Sequence, residues 1–536
     1  MTETQAPLRF AAELQNRIVI IGAGLDGLIA AYYLAKAGLA PLVLEQREVI
    51  GGACATEEFH PGFRASLATT AGALLPQIAA ELQLQTAGIR IEQGPVRVTA
   101  LNLNGPPLSI YDDTDRTARE LKLHSQKDSD AYPAFAACFA NIGRALRPLL
   151  TMTPPDVDGP STSELWSLAT LGWKIRGLGK KDEYRLLRYG PMAVADLAAE
   201  WFDHDLLRAV VAARGIFGAF AGPWSAGTSL PLLLQAATDG HAVASASFVR
   251  GGTGNLIQAI AQAATTAGAE IQTAARIDHI GVEQGRVASL TLQSGEIITT
   301  KAIVSNCDPS HTLLKLVEPG ELAPSFRTKA QNFRAHGTVA RIDLALSSLP
   351  SFVNVDGSER LSGQIHLGPG IDYLERAFDA AKYGEISSQP YLQLTIPTLN
   401  DATRAPQGAH VMSIQAQFAP YKLKNGDWQA RREELGDTVV DALSEYAPDL
   451  KRLIIARRVI TPLDLETSYG FRGGHIHHGE MSLDQFFAFR PVIGCAQYRT
   501  PIEGLYLCGA GTHPGSGLTG ASGLNASREV IRDLVK

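Results

Sequence analysis

Arg17-Ile18-Val19-Ile20-Ile21-Gly22-Ala23-Gly24-Leu25-Asp26-Gly27 opens a segment that closes on Pro41-Leu42-Val43-Leu44-Glu45. Ile18 to Ile21 are all β-branched and apolar, which predicts a short strand buried on both faces. Leu28, Ala31, Tyr32 and Ala35 then recur at helical spacing, with Gly38 just past the last turn. A second apolar run follows, and Glu45 stands at its end. Strand, glycine turn, helix and strand make a βαβ unit. Gly22 permits the tight turn, Gly24 lets backbone approach a pyrophosphate, and Gly27 allows close packing of helix on strand. The helix N-terminus offers free N–H groups to phosphates. Glu45 is placed to accept hydrogen bonds from both hydroxyls of an adenosine ribose and would repel a 2′-phosphate. The segment therefore predicts a dinucleotide site.

The continuation Glu45-Gln46-Arg47-Glu48-Val49-Ile50-Gly51-Gly52-Ala53 resembles the extended dinucleotide signature of the amine-oxidase and phytoene-desaturase flavoproteins. The resemblance implies FAD, with Gln46, Arg47, Gly51, Gly52 and Ala53 along its diphosphate and ribityl stretch. A cation beside phosphates, and glycines where backbone runs against the ligand, suit that placement.

Two later segments extend the resemblance. Phe248-Val249-Arg250-Gly251-Gly252-Thr253 precedes an Ala-rich helix to about Ala264, a strand at Glu270–Gln272, strand-like runs near Ile277–Val282 and Val287–Leu292, and Ala302-Ile303-Val304-Ser305-Asn306. In the family, backbone of the residue matching Ile277 contacts the adenine. Gly251-Gly252 lacks the spacing and the acidic strand end of a second nucleotide site. Near the C-terminus a strand at Gly504–Cys508 leads into Gly509-Ala510-Gly511-Thr512-His513-Pro514-Gly515-Ser516-Gly517, and Leu518-Thr519-Gly520-Ala521 is expected to open the last helix. That turn, with Phe489-Arg490-Pro491, resembles the phytoene desaturase C-terminal signature. It implies cofactor contacts at Gly509, Ala510, Leu518 and Thr519, and catalytic roles for Arg490 and His513. His475, His477, His478 and Glu480 are further candidates near the flavin. Arg490 could instead pair with Glu480 or Asp484, and His513 could fix its turn. The words from Gly473 to Gln485 and from Cys495 to Arg499 look more like the subgroup named after pyridine nucleotide-disulfide oxidoreductase domain-containing protein 2. His475 and His477 would share a face of a strand, but no third ligand accompanies them, so no metal is expected.

Bulk composition agrees with a large globular chain. Of 536 residues, 45% are hydrophobic and 19% charged, too apolar for disorder. The net charge of -6 offers no basic excess for nucleic acid. Five scattered cysteines without a CxxC pair support neither a thiol redox centre nor zinc. Met1 to Asn16 lacks the pattern of a secretory or transit peptide, and no apolar run is long enough to span a bilayer. A cytoplasmic protein is expected, peripheral to a membrane if the basic, tryptophan-bearing stretch Trp166–Tyr189 rests on anionic lipid.

The expected fold class is α/β: a Rossmann-like FAD-binding domain of the amine oxidase and phytoene desaturase type, with an inserted α+β substrate domain. The cofactor half comprises 1–75, 240–320 and 455–536. The substrate half comprises 76–239, mostly helical, and 321–454, with strand-like runs at Thr338–Leu346, Tyr391–Pro397 and His410–Phe418. The resemblance implies hydride removal from an apolar isoprenoid or carotenoid-like molecule, or its isomerisation or saturation. An apolar tunnel with few polar residues should hold it, and quinone or oxygen should re-oxidise the flavin. Two alternatives stand beside this: an amine oxidase, with Tyr498 as one wall of an aromatic cage, and a flavin-bearing binding or assembly protein without turnover.

Overall fold

The computed structural model describes residues 17–68, 74–245, 247–515 and 517–535. The expectation for Met1–Asn16 and the position of Ser516 lie outside them.

Five parallel strands form the cofactor sheet, in the order Leu505–Leu507, Ala302–Ser305, Ile18–Ile21, Leu42–Leu44 and Glu270–Gln272. The β-branched run sits at its centre because it can bury both faces. Ile18 and Ile20 face helices Leu25–Lys36, Thr253–Thr266 and Ala521–Leu534. Val19 and Ile21 face the antiparallel meander Ile277–Glu283, Arg286–Leu292 and Ile297–Thr299. Burying apolar surface on both sides at roughly 25 cal/mol per Å² holds the three chain segments together. Gly251-Gly252 leads into one of these helices, on the same sheet rather than a second nucleotide fold.

The substrate half is built on a seven-stranded mixed sheet. Its order is Ile454–Ile460, Val339–Leu346, His410–Gln417, Tyr391–Thr395, Gln364–Leu367, Val96–Ala100 and Leu108–Tyr111. Only Gln364–Leu367 and Val96–Ala100 pair in parallel. The strand pairing bears on the expected division in two ways. Ile454–Ile460 pairs with Val339–Leu346, so the third cofactor segment begins after Ile460, not at 455. The first insertion gives this sheet two strands besides its helices. Ile342, Leu394, Ile414 and Ile365 pack one face of the sheet against helix Trp428–Tyr446. The other face looks toward helices Asp205–Ile216 and Ser229–Asp239, which belong to a separate helical core.

Candidate flavin and substrate site

A single continuous cavity of about 720 Å³ runs from the first glycine turn to the seven-stranded sheet. Of the residues singled out by sequence, Gly22, Gly24, Glu45, Gln46, Arg47, Gly51, Gly52, Ala53, Ile277, Ala510, Leu518 and Thr519 line it. The two ends of the chain do meet: the Gly523 N–H donates to Asp26 Oδ1 at 3.0 Å.

The glycine turn is packed to its limit. A Cβ on Gly27 would lie 2.2 Å from the Gly22 carbonyl oxygen and 3.2 Å from Asn306 Cβ, so this glycine lets the helix start hard against the ends of two strands. A Cβ on Gly24 would lie 2.7 Å from Asn306 Nδ2, and one on Gly509 2.5 Å from Asn306 Oδ1. Asn306 therefore backs both glycine turns from the end of the strand between them. Its place there follows from the parallel pairing, which no local motif announces. Gly22 and Gly51 have positive φ, at 94° and 110°, and the Gly51 N–H donates to the Ala23 carbonyl at 2.8 Å, folding the second glycine pair onto the first turn.

Glu45 is buried. Oε2 accepts the Ala23 N–H and Oε1 the Arg47 N–H, each at 2.9 Å. These bonds fix the carboxylate at the mouth of the turn, where a ribose would lie. Arg47 lines the cavity, its guanidinium ion-paired with Glu57 and stacked over Tyr469, while Nη1 has no partner among the described residues. Asp26, which sequence reading passed over, lines the cavity in the first turn of the helix. Burial pushes its carboxyl up to about 6.

The two residues given catalytic roles do not line the cavity. Arg490 is fully buried and donates to backbone carbonyls, among them Ala510 at 2.7 Å, Glu480 at 2.9 Å, His477 at 3.1 Å and Thr512 at 3.2 Å. It ties the C-terminal turn to the histidine loop and is a structural hub. Glu480 and Asp484 bind Arg334 instead, with bonds of 2.9 and 2.8 Å. His513 is also fully buried, with Nε2 2.7 Å from the Leu149 carbonyl, and burial pushes its imidazole down to about 4. Tyr498 is buried, donates to the His513 carbonyl and forms no wall of the cavity. The last helix begins at Ala521, leaving Leu518 and Thr519 in the turn before it.

His475, His477 and His478 do line the cavity. They follow a 3₁₀ turn at Arg472–Gly474 rather than lying on a strand. Among the described residues no three His, Cys, Asp or Glu side chains gather as metal ligands. Burial holds all three imidazoles neutral, with His477 and His478 down to about 4. His475 Nδ1 accepts the His477 N–H at 3.1 Å, so its ring hydrogen sits on Nε2. His477 Nε2 faces the Phe217 carbonyl at 3.3 Å and must be its protonated nitrogen. His478 makes no side-chain hydrogen bond among the described residues and, like His477, remains partly accessible at the cavity wall.

An elongated adenine–flavin molecule fits these residues: glycines whose Cβ positions are blocked, a clasped carboxylate at the ribose position, and a cavity extending past Gly52 and Ala510. FAD would be held by the Gly22–Gly27 turn, Glu45, Gly51–Ala53 and the Ala510–Thr519 turn.

The comparisons agree. The profile of an NAD(P)-binding Rossmann-like domain matches residues 20–74, and that of flavin containing amine oxidoreductases matches 202–531. The chain is 35% identical to pyridine nucleotide-disulfide oxidoreductase domain-containing protein 2 of Rattus norvegicus, covering 96% of this chain and 93% of that protein. It is 27% identical to a lycopene-forming phytoene desaturase of Pseudescherichia vulneris, covering 97% and 100%. Cyclohexylamine oxidase from Brevibacterium oxydans shares the fold, with a TM-score of 0.58 at 16% identity over 97% and 100% of the two chains. With FAD as its cofactor, the chain belongs to the flavin containing amine oxidoreductase family.

Proposed function

We propose that this flavoprotein removes hydride from a carbon of a predominantly apolar, isoprenoid-like substrate while the neighbouring carbon gives up a proton. The supporting observation is the wall of the cavity where it leaves the cofactor cleft: Leu67, Phe217, Ile476 and Leu518 supply apolar surface there, and Tyr498 gives no aromatic cage for an ammonium group. The relative from Pseudescherichia vulneris is named for desaturating an isoprenoid. FAD, when bound, supplies the hydride acceptor. The protein's own work is to hold the substrate carbon in a dry site and to receive the proton. His478, at the cavity wall and without a side-chain hydrogen-bond partner among the described residues, is the proposed acceptor. Quinone or oxygen is the proposed final acceptor, because the Gly251-Gly252 turn starts a helix on the flavin sheet instead of a nicotinamide site.

We further propose that helices Thr162–Arg176 and Gly179–Tyr189 rest on an anionic bilayer. The first helix buries no residue. Trp166 and Trp173 are 67% and 74% exposed and touch each other edge to face. Tyr184 and Leu187 are also exposed, among Lys174, Lys180, Lys181 and Arg188. Exposed indoles interleaved with cations suit a headgroup layer.

The experiment is anaerobic mixing of the purified holoprotein with phytoene in detergent, with geranylgeraniol and with cyclohexylamine, following oxidised-flavin absorbance. Bleaching by an isoprenoid is expected. Bleaching by the amine alone would replace this reading with amine oxidation, and inertness to all three would favour a binding protein.

A further inference from the structure

The substrate end of the cavity is not the apolar tunnel expected from an isoprenoid-like substrate. Alternation along the strands splits the seven-stranded sheet into two unlike faces. On one face Ile342, Ile414, Leu394 and Ile365 are packed dry against a helix. On the other, Arg341 stands opposite Gln415, Gln415 opposite Gln393, and Gln393 opposite His366. The next row runs from Asp343 through Ser413 to Thr395. Apart from Asp343 these side chains line the cavity. Gln393, Thr395 and Gln415 are only partly buried although they lie inside the molecule, as groups facing a void are.

Across the cavity Arg214, 7% exposed, is ion-paired through Nη2 with Asp239. Its Nε and Nη1 have no partner among the described residues, nor have Thr395 Oγ1 and Arg341 Nη1. Arg97 lies at the same margin: the positive fields of Arg97 and Arg214, after burial, depress His241 to about 3. A buried polar atom without a partner costs about 1–3 kcal/mol, so a hydrocarbon filling this chamber would leave several such costs unrelieved. A carboxylate would relieve them. It offers about four lone-pair sites, and guanidinium nitrogens and a hydroxyl can donate to it together.

We propose that the substrate is amphiphilic: an apolar skeleton bearing a carboxylate, the oxyanion being held by Arg214 beneath the polar face of the sheet, with Thr395 donating from that face. This rests on the hydride-removal reading only for which end of the molecule reacts. Arg341 begins the polar row near the cofactor, its Nη2 donating to the Ser66 carbonyl at 3.0 Å. From the strand of Arg341 to that of Thr395 is two strand spacings, about 10 Å. The skeleton therefore separates carboxylate and reacting carbon by at least that span.

The test is titration of the oxidised holoprotein with matched pairs, geranylgeranoate against geranylgeraniol and palmitate against hexadecanol, following perturbation of the flavin spectrum. The carboxylates should bind about tenfold or more tightly than their alcohols. The paired variant Arg214→Gln with Asp239→Asn, which leaves no unpaired charge, should erase that margin at unchanged flavin content. Thr395→Val should reduce it without removing any charge, and serves if the paired variant fails to fold. Alcohols that match the acids, a margin that survives in these variants, or no binding by either acid would overturn the proposal. Flavin reduction by an isoprenoid hydrocarbon or alcohol but not by an acid would uphold hydride removal and sink the carboxylate. Tight carboxylate binding with no reduction by any isoprenoid would do the reverse.

Discussion

Glu45→Gln isolates the clasp on the cofactor's sugar. The wild-type carboxylate accepts one backbone N–H on each oxygen, from Ala23 and from Arg47, both at 2.9 Å. An amide has one accepting oxygen and one donating nitrogen, so in either orientation a backbone N–H faces an NH₂ group. That mismatch costs the fold about 1–3 kcal/mol with or without cofactor. The affinity loss is separate: ribose hydroxyls that donated to a charged acceptor meet a neutral one, a change of about 1.5–3 kcal/mol. FAD should then bind roughly 10–150-fold more weakly. The assay is fluorescence-quench titration of apoprotein with FAD, beside acid-released flavin per mole of purified protein. Glu48→Gln, at an exposed position that does not line the cavity, is the control. A variant that keeps its full flavin complement with affinity within about twofold of wild type, against the loss worked above, would refute the clasp and the assignment of Glu45 to the ribose.

Gly27→Ala should yield soluble but flavin-free protein, or none, because the added methyl meets the Gly22 carbonyl at 2.2 Å; cofactor content reads the outcome. Arg490→Met should lower the melting temperature sharply, since its backbone carbonyl partners each lose a charged donor worth about 1.5–3 kcal/mol; near-wild-type melting would disprove its role as hub. Asp26 gives a signed pH dependence. Its folded pKa of about 6 lies above the ordinary 3.8, so its contribution to stability is full below 3.8 and lost as pH rises through 6. Asp26→Asn keeps the acceptor for Gly523 and should melt higher than wild type at pH 8, by on the order of 2–3 kcal/mol, but not at pH 4. Sedimentation with phosphatidylserine vesicles should pull down the protein at low salt, and Lys180→Glu with Lys181→Glu should weaken binding by about tenfold or more; equal binding to neutral vesicles would count against the electrostatic contact.

The cofactor sheet was legible because its motifs are local. The run Ile18–Ile21, the glycine spacing and Glu45 each carry their own physical reason within 30 residues, and the structure places them as read. The terminal turn was legible only as a resemblance, which did not reveal that Arg490 and His513 bond to backbone carbonyls. Arg490 and His513 are polar residues beside glycines, which in sequence look alike whether they face a ligand or a carbonyl. Asn306 was invisible for a different cause: its importance comes from parallel pairing of segments hundreds of residues apart. The polar face of the sheet did leave a signal. Arg341 and Asp343, Gln393 and Thr395, and Ser413 and Gln415 alternate with apolar neighbours at period two. Alternation reveals a polar face but not whether that face meets water or an inner chamber.

The order of strands also sets a timetable. The central strand Ile18–Ile21 finds Leu42–Leu44 early but waits for its second neighbour, Ala302–Ser305, and that strand in turn waits for Leu505–Leu507. Roughly 490 residues separate first and last, so at about 5–20 residues per second the five-stranded sheet would stay incomplete for roughly 25 to 100 seconds after its central strand is made. Cofactor capture is thereby a late event in biogenesis, and the newborn N-terminal third should be a client for chaperones until the final helix docks.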